Sequence, residues 1–124
     1  MIKQSKLPVL TLLLASVLPA QGAQASSLDA VLKQGVVKCG INEKLPGFSN
    51  KDASGNWKGL DIDMCRAVAA AVFGDASCVE YIPVSASDRF KELSAGTFDL
   101  RSRNTTWNMS RDTGMKVTFV GENY

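Results

Sequence analysis

The sequence predicts an α/β fold, a mostly parallel sheet flanked by helices, and three observations carry that prediction. Short apolar runs alternate with stretches of helical spacing in the order strand, helix, strand, helix, strand, the order of a parallel sheet joined by right-handed crossovers. The first run, Val36 to Ile41, is nearly continuous in apolar character and contains the β-branched Val36, Val37 and Ile41, which suits a strand covered on both faces. The longest helical stretch carries the run Ala69-Ala70-Ala71, which has high helix propensity and lets a helix lie close to a sheet.

Residues 1–25 stand outside this pattern. Lys3 and Lys6, the apolar run Leu7 to Leu18, and the small-residue ending Ala23-Gln24-Ala25 are the three parts of a secretory signal peptide. The apolar centre is too short for a membrane span, which needs about 20 residues, so cleavage after Ala25 and export are expected. Residues 26–124 then form one modest domain. Ser27 to Gly35 reads as a short helix that Ser27 can cap, with Leu28, Val31 and Leu32 on its inner face and Gly35 at its end. After the strand Val36 to Ile41 comes a loop, Asn42 to Ser49, with a Pro46-Gly47 turn. Asp52 to Asn56 is a second turn, placed as a hairpin tip between Phe48 and Trp57.

From Asp61 the period becomes helical through Ile62, Cys65, Val68, Ala69 and Val72, and Gly74 stops the helix. Asp61 and Asp63 lie where carboxylates favour a helix dipole. They are read as capping rather than as metal ligands, since no third ligand or histidine accompanies them. Cys78 to Val84 is the second strand. Ser85 or Ser87 then caps a helix whose inner face is Phe90, Leu93 and Ser94, ended by Gly96. Phe98 to Arg101 is the third strand, and Val117 to Val120 has the character of a fourth.

Loss of Lys3 and Lys6 leaves twelve basic against twelve acidic side chains. A formally neutral chain has no basic stripe for a nucleic-acid backbone, so no nucleic-acid partner is indicated. The chain is expected to act as a monomer. Three cysteines in an oxidising compartment leave one over. Cys39 with Cys65 is the preferred disulfide, because the helix carrying Cys65 follows and packs on the strand carrying Cys39. Cys65 with Cys78 competes, and three buried thiols is a third arrangement. The sequence has no histidine and no C-x-x-C, which argues against a structural zinc site, and no cofactor is expected.

Ligands of parallel sheets bind beyond the C-terminal ends of the strands. Two loops leave that end. Asn42 to Ser49 lifts Leu45 and Phe48 into a position to form a wall, and Phe48 reads at least as well as a core residue. Ser102 to Asp112 carries hydroxyls, carboxamides, Arg103 and Arg111; an arginine fork matches a carboxylate in two parallel bonds, and Asn and Thr add directional partners around it.

The residues themselves resemble a family. Gly40 to Ser49, Gly59 to Asp75 and Ser102 to Trp107, with the following Ser110-Arg111-Asp112, are similar to the periplasmic general L-amino-acid-binding proteins of ATP-driven (ABC) uptake systems, within the family 3 extracellular solute-binding proteins. The resemblance covers essentially the whole exported chain. It implies the first lobe of a type II periplasmic-binding-protein fold and a soluble receptor that passes polar L-amino acids to a membrane permease, not an enzyme. By the same resemblance Arg111 clamps the ligand α-carboxylate, Asn104 and Thr106 hydrogen-bond the bound amino acid, Asn42 and Leu45 belong to the first-loop side, and Leu60 stands where relatives place an aromatic wall. Family members have two lobes and more than twice this length, so the chain is expected to be a truncated form, lacking the second-lobe carboxylate that meets the ligand ammonium and binding weakly alone. Related exported proteins use the same lobe for lyase chemistry such as cyclohexadienyl dehydration, which is the competing function. Arg101 departs from the family's aliphatic residue in its strand; burying it without a partner costs several kcal/mol unless it is exposed or compensated by an acid such as Asp99.

Overall fold

The computed structural model describes residues 27–115 and 118–121. The signal-peptide segment 1–25, and Val117 of the expected fourth strand, lie outside the described residues. The elements run α1 (Ser27–Gln34), β1 (Val37–Ile41), β2 (Asn50–Lys51), β3 (Trp57–Lys58), α2 (Leu60–Phe73), β4 (Val79–Pro83), α3 (Arg89–Ser94), β5 (Leu100–Arg101) and α4 (Met109–Gly114). β1 is central, with β4 and β5 on either side and both pairings parallel. β2 and β3 make a separate antiparallel hairpin around the Asp52–Asn56 turn.

The two faces of β1 are packed by different means. Side chains alternate along a strand, and Val37, Cys39 and Ile41 meet α2 through Ile62, Cys65 and Ala69, with Val31 of α1 joining the same layer. Cys39 and Cys65 are joined by a disulfide with a Cα–Cα distance of 6.1 Å, and Cys78 is a free thiol. On the other face, Gly40 lies against Phe98, whose ring would be 2.8 Å from a Cβ built at position 40. Only glycine admits the ring there. Gly74 ends α2 in the left-handed conformation, its N–H donating to the Ala70 carbonyl, as expected of a glycine stop.

Several local expectations change. α1 buries only Val31, while Leu28 and Leu32 are about half exposed, because a single turn of contact with β1 and α2 is all that an eight-residue helix reaches. The Ser49–Asp61 pair is buried, and neither Asp61 nor Asp63 caps α2: Gly59 is the N-cap, with no side-chain bond. The first free N–H groups of α2 go instead to the preceding loop, Leu60 to the Gly47 carbonyl and Asp61 to the Phe48 carbonyl, both at 3.0 Å. At α3 the N-cap is Asp88, not Ser85 or Ser87, so the helix starts later than expected; Ser85 Oγ accepts the Asp88 N–H in the turn that precedes it. Ser94 is exposed. Thr118 to Val120 is not in a strand. The segment 102–112 is not wholly loop, since its end forms α4, and Phe48 is exposed rather than part of the core.

Candidate ligand-binding site

The C-terminal ends of β1 and β5 bring the two loops side by side. Ser102 N–H donates to the Gly40 carbonyl at 3.0 Å, continuing the β1–β5 ladder past Arg101, so the chain leaves both strands at one level. Asn42 then reaches Asn104: its Nδ2 donates to Asn104 Oδ1 at 3.3 Å, while its own Oδ1 accepts the Lys44 N–H at 3.2 Å. Two arginines hold Asn104 as well, one of them tied in turn to the chain just beyond β4. Arg89 Nη1 of α3 donates to its carbonyl at 3.2 Å, Arg103 Nη2 approaches its Oδ1 at 3.5 Å, and Arg103 Nη1 donates to the Val84 carbonyl beyond β4.

Arg111 is placed by a helix that the loop reading did not anticipate. Asn108 is extended and its Oδ1 accepts the Arg111 N–H at 3.0 Å, the geometry of a side-chain N-cap. The guanidinium folds back, Nη1 donating to the Thr106 carbonyl at 2.6 Å. This leaves the rest of the fork for a ligand. Leu45 and Leu60 are held on the first-loop side, Leu45 by paired backbone bonds with Ser49 and Leu60 by Gly47; Leu60 is 41% exposed and offers an apolar surface. The structure thus brings Asn42 to Asn104 and Thr106 to Arg111, and leaves Leu45 and Leu60 on the flank.

The electrostatics of this end are one-sided. The guanidinium carbons of Arg101, Arg111 and Arg89 lie 4.3, 5.3 and 5.4 Å from the centroid of one ring, Phe90. Burial pushes the Arg101 guanidinium down to about 10, and the charges of Arg89, Arg103 and Arg111 push the same way. Arg89 and Arg103 are lowered chiefly by burial as well. Asp61 is raised by burial, opposed by hydrogen bonds from Ser49 and Ser102 and by the Arg103 charge. Asp99 does not compensate Arg101: its Oδ2 accepts from the Lys38 N–H at 2.8 Å and from Gln34 Nε2 at 2.6 Å, at the opposite end of the sheet. Sequence reasoning missed Arg89 and Phe90 because only the crossover brings α3 beside the recognition loop. Asn108 three residues before Arg111 was a readable capping signal.

No group of three or more metal-ligating side chains occurs among the described residues, and no described helix is long and apolar enough to cross a membrane. The site can offer guanidinium and amide donors to an anion.

Comparison with known proteins places the chain in a family. The profile of the bacterial extracellular solute-binding proteins, family 3, matches residues 37–120. An amino-acid ABC transporter-binding protein of Escherichia coli K12, YhdW, is 53% identical over 96% of this chain and 36% of its own length. The general L-amino acid-binding periplasmic protein AapJ of Rhizobium johnstonii is 50% identical over 81% of this chain and 29% of its own. Among solved structures, a periplasmic binding protein of an ABC transporter from Brucella ovis, with glutathione bound, superposes with a TM-score of 0.77 at 45% identity, over 81% of this chain and 31% of that one. An ancestral cyclohexadienyl dehydratase superposes with a TM-score of 0.63 at 28% identity, over 71% of this chain and 35% of that one. The fold is that of the first lobe of a type II periplasmic binding protein. The chain belongs to family 3 of the bacterial extracellular solute-binding proteins, and it spans about a third of the length of the curated relatives it matches.

Proposed function

We propose that this chain provides the first-lobe face of an amino-acid-binding site in the periplasmic receptor of an ABC-type uptake system, whose partner is a membrane permease. The observation that carries this reading is the seating of Arg111: α4, capped by Asn108, and the Thr106 carbonyl fix one end of the guanidinium and leave the remaining donors for the carboxylate that all amino acids share. Asn104 and Asn42, tied to each other, add polar groups beside it, and Leu45 and Leu60 supply the apolar flank. The signal-peptide pattern, with cleavage after Ala25, and the periplasmic relatives support export. We read the chain as a monomeric receptor and not as an enzyme. The sequence has no histidine, and the buried carboxylate at this end, Asp61, is engaged by Ser49, whose hydroxyl donates to it at 3.4 Å, whereas lyase chemistry needs a positioned acid or base.

Calorimetric titration with glutamate, glutamine, aspartate and arginine tests the reading. One face of a site buries less of a ligand than the 70–90% usual for closed pockets, so binding is expected to be weaker than about 1 µM, roughly −8 kcal/mol. Arg111→Ala should weaken it a further tenfold or more, the loss of a charge-assisted hydrogen bond of about 1.5–3 kcal/mol. Equal heats from Arg111→Ala and the parent would refute the assignment of Arg111.

A further inference from the structure

The four arginines at the ligand end of the sheet are not equivalently satisfied. Arg111 donates to the Thr106 carbonyl, Arg89 to the Asn104 carbonyl, and Arg103 to the Val84 carbonyl and Asn104 Oδ1. Nε of Arg89 and of Arg103 is buried without a partner, as is Nη1 of Arg101, but Arg89 and Arg103 each bond through another nitrogen, whereas Arg101 makes no hydrogen bond to an acceptor among the described residues. The Phe90 ring at 4.3 Å attracts the cation but gives its N–H groups nothing to bond. The acids within reach in sequence are engaged elsewhere, Asp99 by Lys38 and Gln34, Asp88 by Ser85 and Ser87, and Asp61 by Ser49. Arg101 nevertheless ends β5 beside Gly40 of β1, at the level from which the recognition loop departs, and shares the Phe90 ring with Arg111. A single α-carboxylate answers one of these charges and leaves a half-buried, partnerless guanidinium beside it, an arrangement that is costly unless a second anion arrives.

We propose that Arg101 is a specificity-determining residue that makes this site select ligands carrying two acid groups, one carboxylate meeting Arg111 and the other meeting Arg101. The inference rests on the reading of Arg111 as the α-carboxylate anchor. Two sources share the chemistry, an acidic amino acid and a simple dicarboxylate without an amino group.

Side-chain Nε–Hε resonances of the ¹⁵N-labelled protein report each arginine separately, and the probes are L-glutamate, L-glutamine and succinate at matched ionic strength and pH 7. Glutamate should shift both Arg101 and Arg111, glutamine only Arg111, and glutamate should bind at least about tenfold more tightly than glutamine. Succinate shifting both arginines as strongly as glutamate supports the same dianion site and names dicarboxylates as the cargo; succinate weaker than glutamate names the acidic amino acid. The glutamate-to-glutamine ratio should fall towards one in Arg101→Leu and persist in Arg101→Lys, which keeps the charge. If Arg101 is unmoved while glutamate and glutamine shift Arg111 alike, the inference is wrong and the amino-acid reading stands. If no probe shifts Arg111, both fall.

Discussion

At Gly40 a hydrogen in place of a methyl group decides how one face of the sheet is covered. A Cβ there would sit 2.8 Å from the Phe98 ring, and Phe98 is 1% exposed with no room to retreat, so Gly40→Ala should cost about 1–3 kcal/mol by overpacking, read as a lowered midpoint of chemical denaturation. Asp61 offers a second single-residue test. Its carboxyl is raised by burial, whereas Asp88, Asp75 and Asp52 are lowered, by the Ser85 hydroxyl, the Ser77 hydroxyl and the Asn56 N–H respectively. On acidification Asp61 should therefore take up its proton first, at a higher pH than those three, which a ¹³C-carboxyl titration resolves. The sign for stability follows: the ionised Asp61 weighs against the fold above its folded pKa, and that penalty is relieved as the pH falls through it. The departure at Arg101 was legible in the sequence. Its surroundings were not, because Phe90 and Arg89 reach it only through the α3 crossover, and the expected compensating acid, Asp99, points to the other end of the strand.

Between elements, the strongest single tie is the disulfide from β1 to α2. It closes a separation of 26 residues, for which the chain-entropy model gives about 3.5 kcal/mol at 25 °C; a paired Cys39→Ser, Cys65→Ser variant should lose stability of that order in urea unfolding, while Cys78→Ser should lose far less. α4 links stability to the site. Asn108→Ala removes the cap of α4, worth about 1 kcal/mol, and should weaken amino-acid binding with little change in global stability, since α4 buries no side chain. The long elements were legible because their signals are periodic: α2 shows its buried face, Ile62, Cys65 and Ala69, at helical spacing. The short ones were less so. α4 has no apolar stripe and is specified by one capping side chain, and β5 shrank to two residues because Phe98 leaves the ladder to fill the space over Gly40.

For the whole molecule, the parallel order β4-β1-β5 places the recognition loop, the first loop and α3 at one end, which is why residues far apart in sequence, Asn42, Arg89, Asn104 and Arg111, form one surface. That end was predictable from the alternation of strands and helices, and the two loops were placed there by topology alone; the pairing of Asn42 with Asn104 depends on side-chain directions that no periodicity encodes. The central claim is that this surface recognises an α-carboxylate through Arg111. Its most direct test compares L-glutamine with L-glutaminamide, which lacks the free α-carboxylate, by titrating the Arg111 Nε–Hε resonance. The account predicts a saturable shift with glutamine and none with the amide; equal shifts from the two, or a shift with neither, would contradict it.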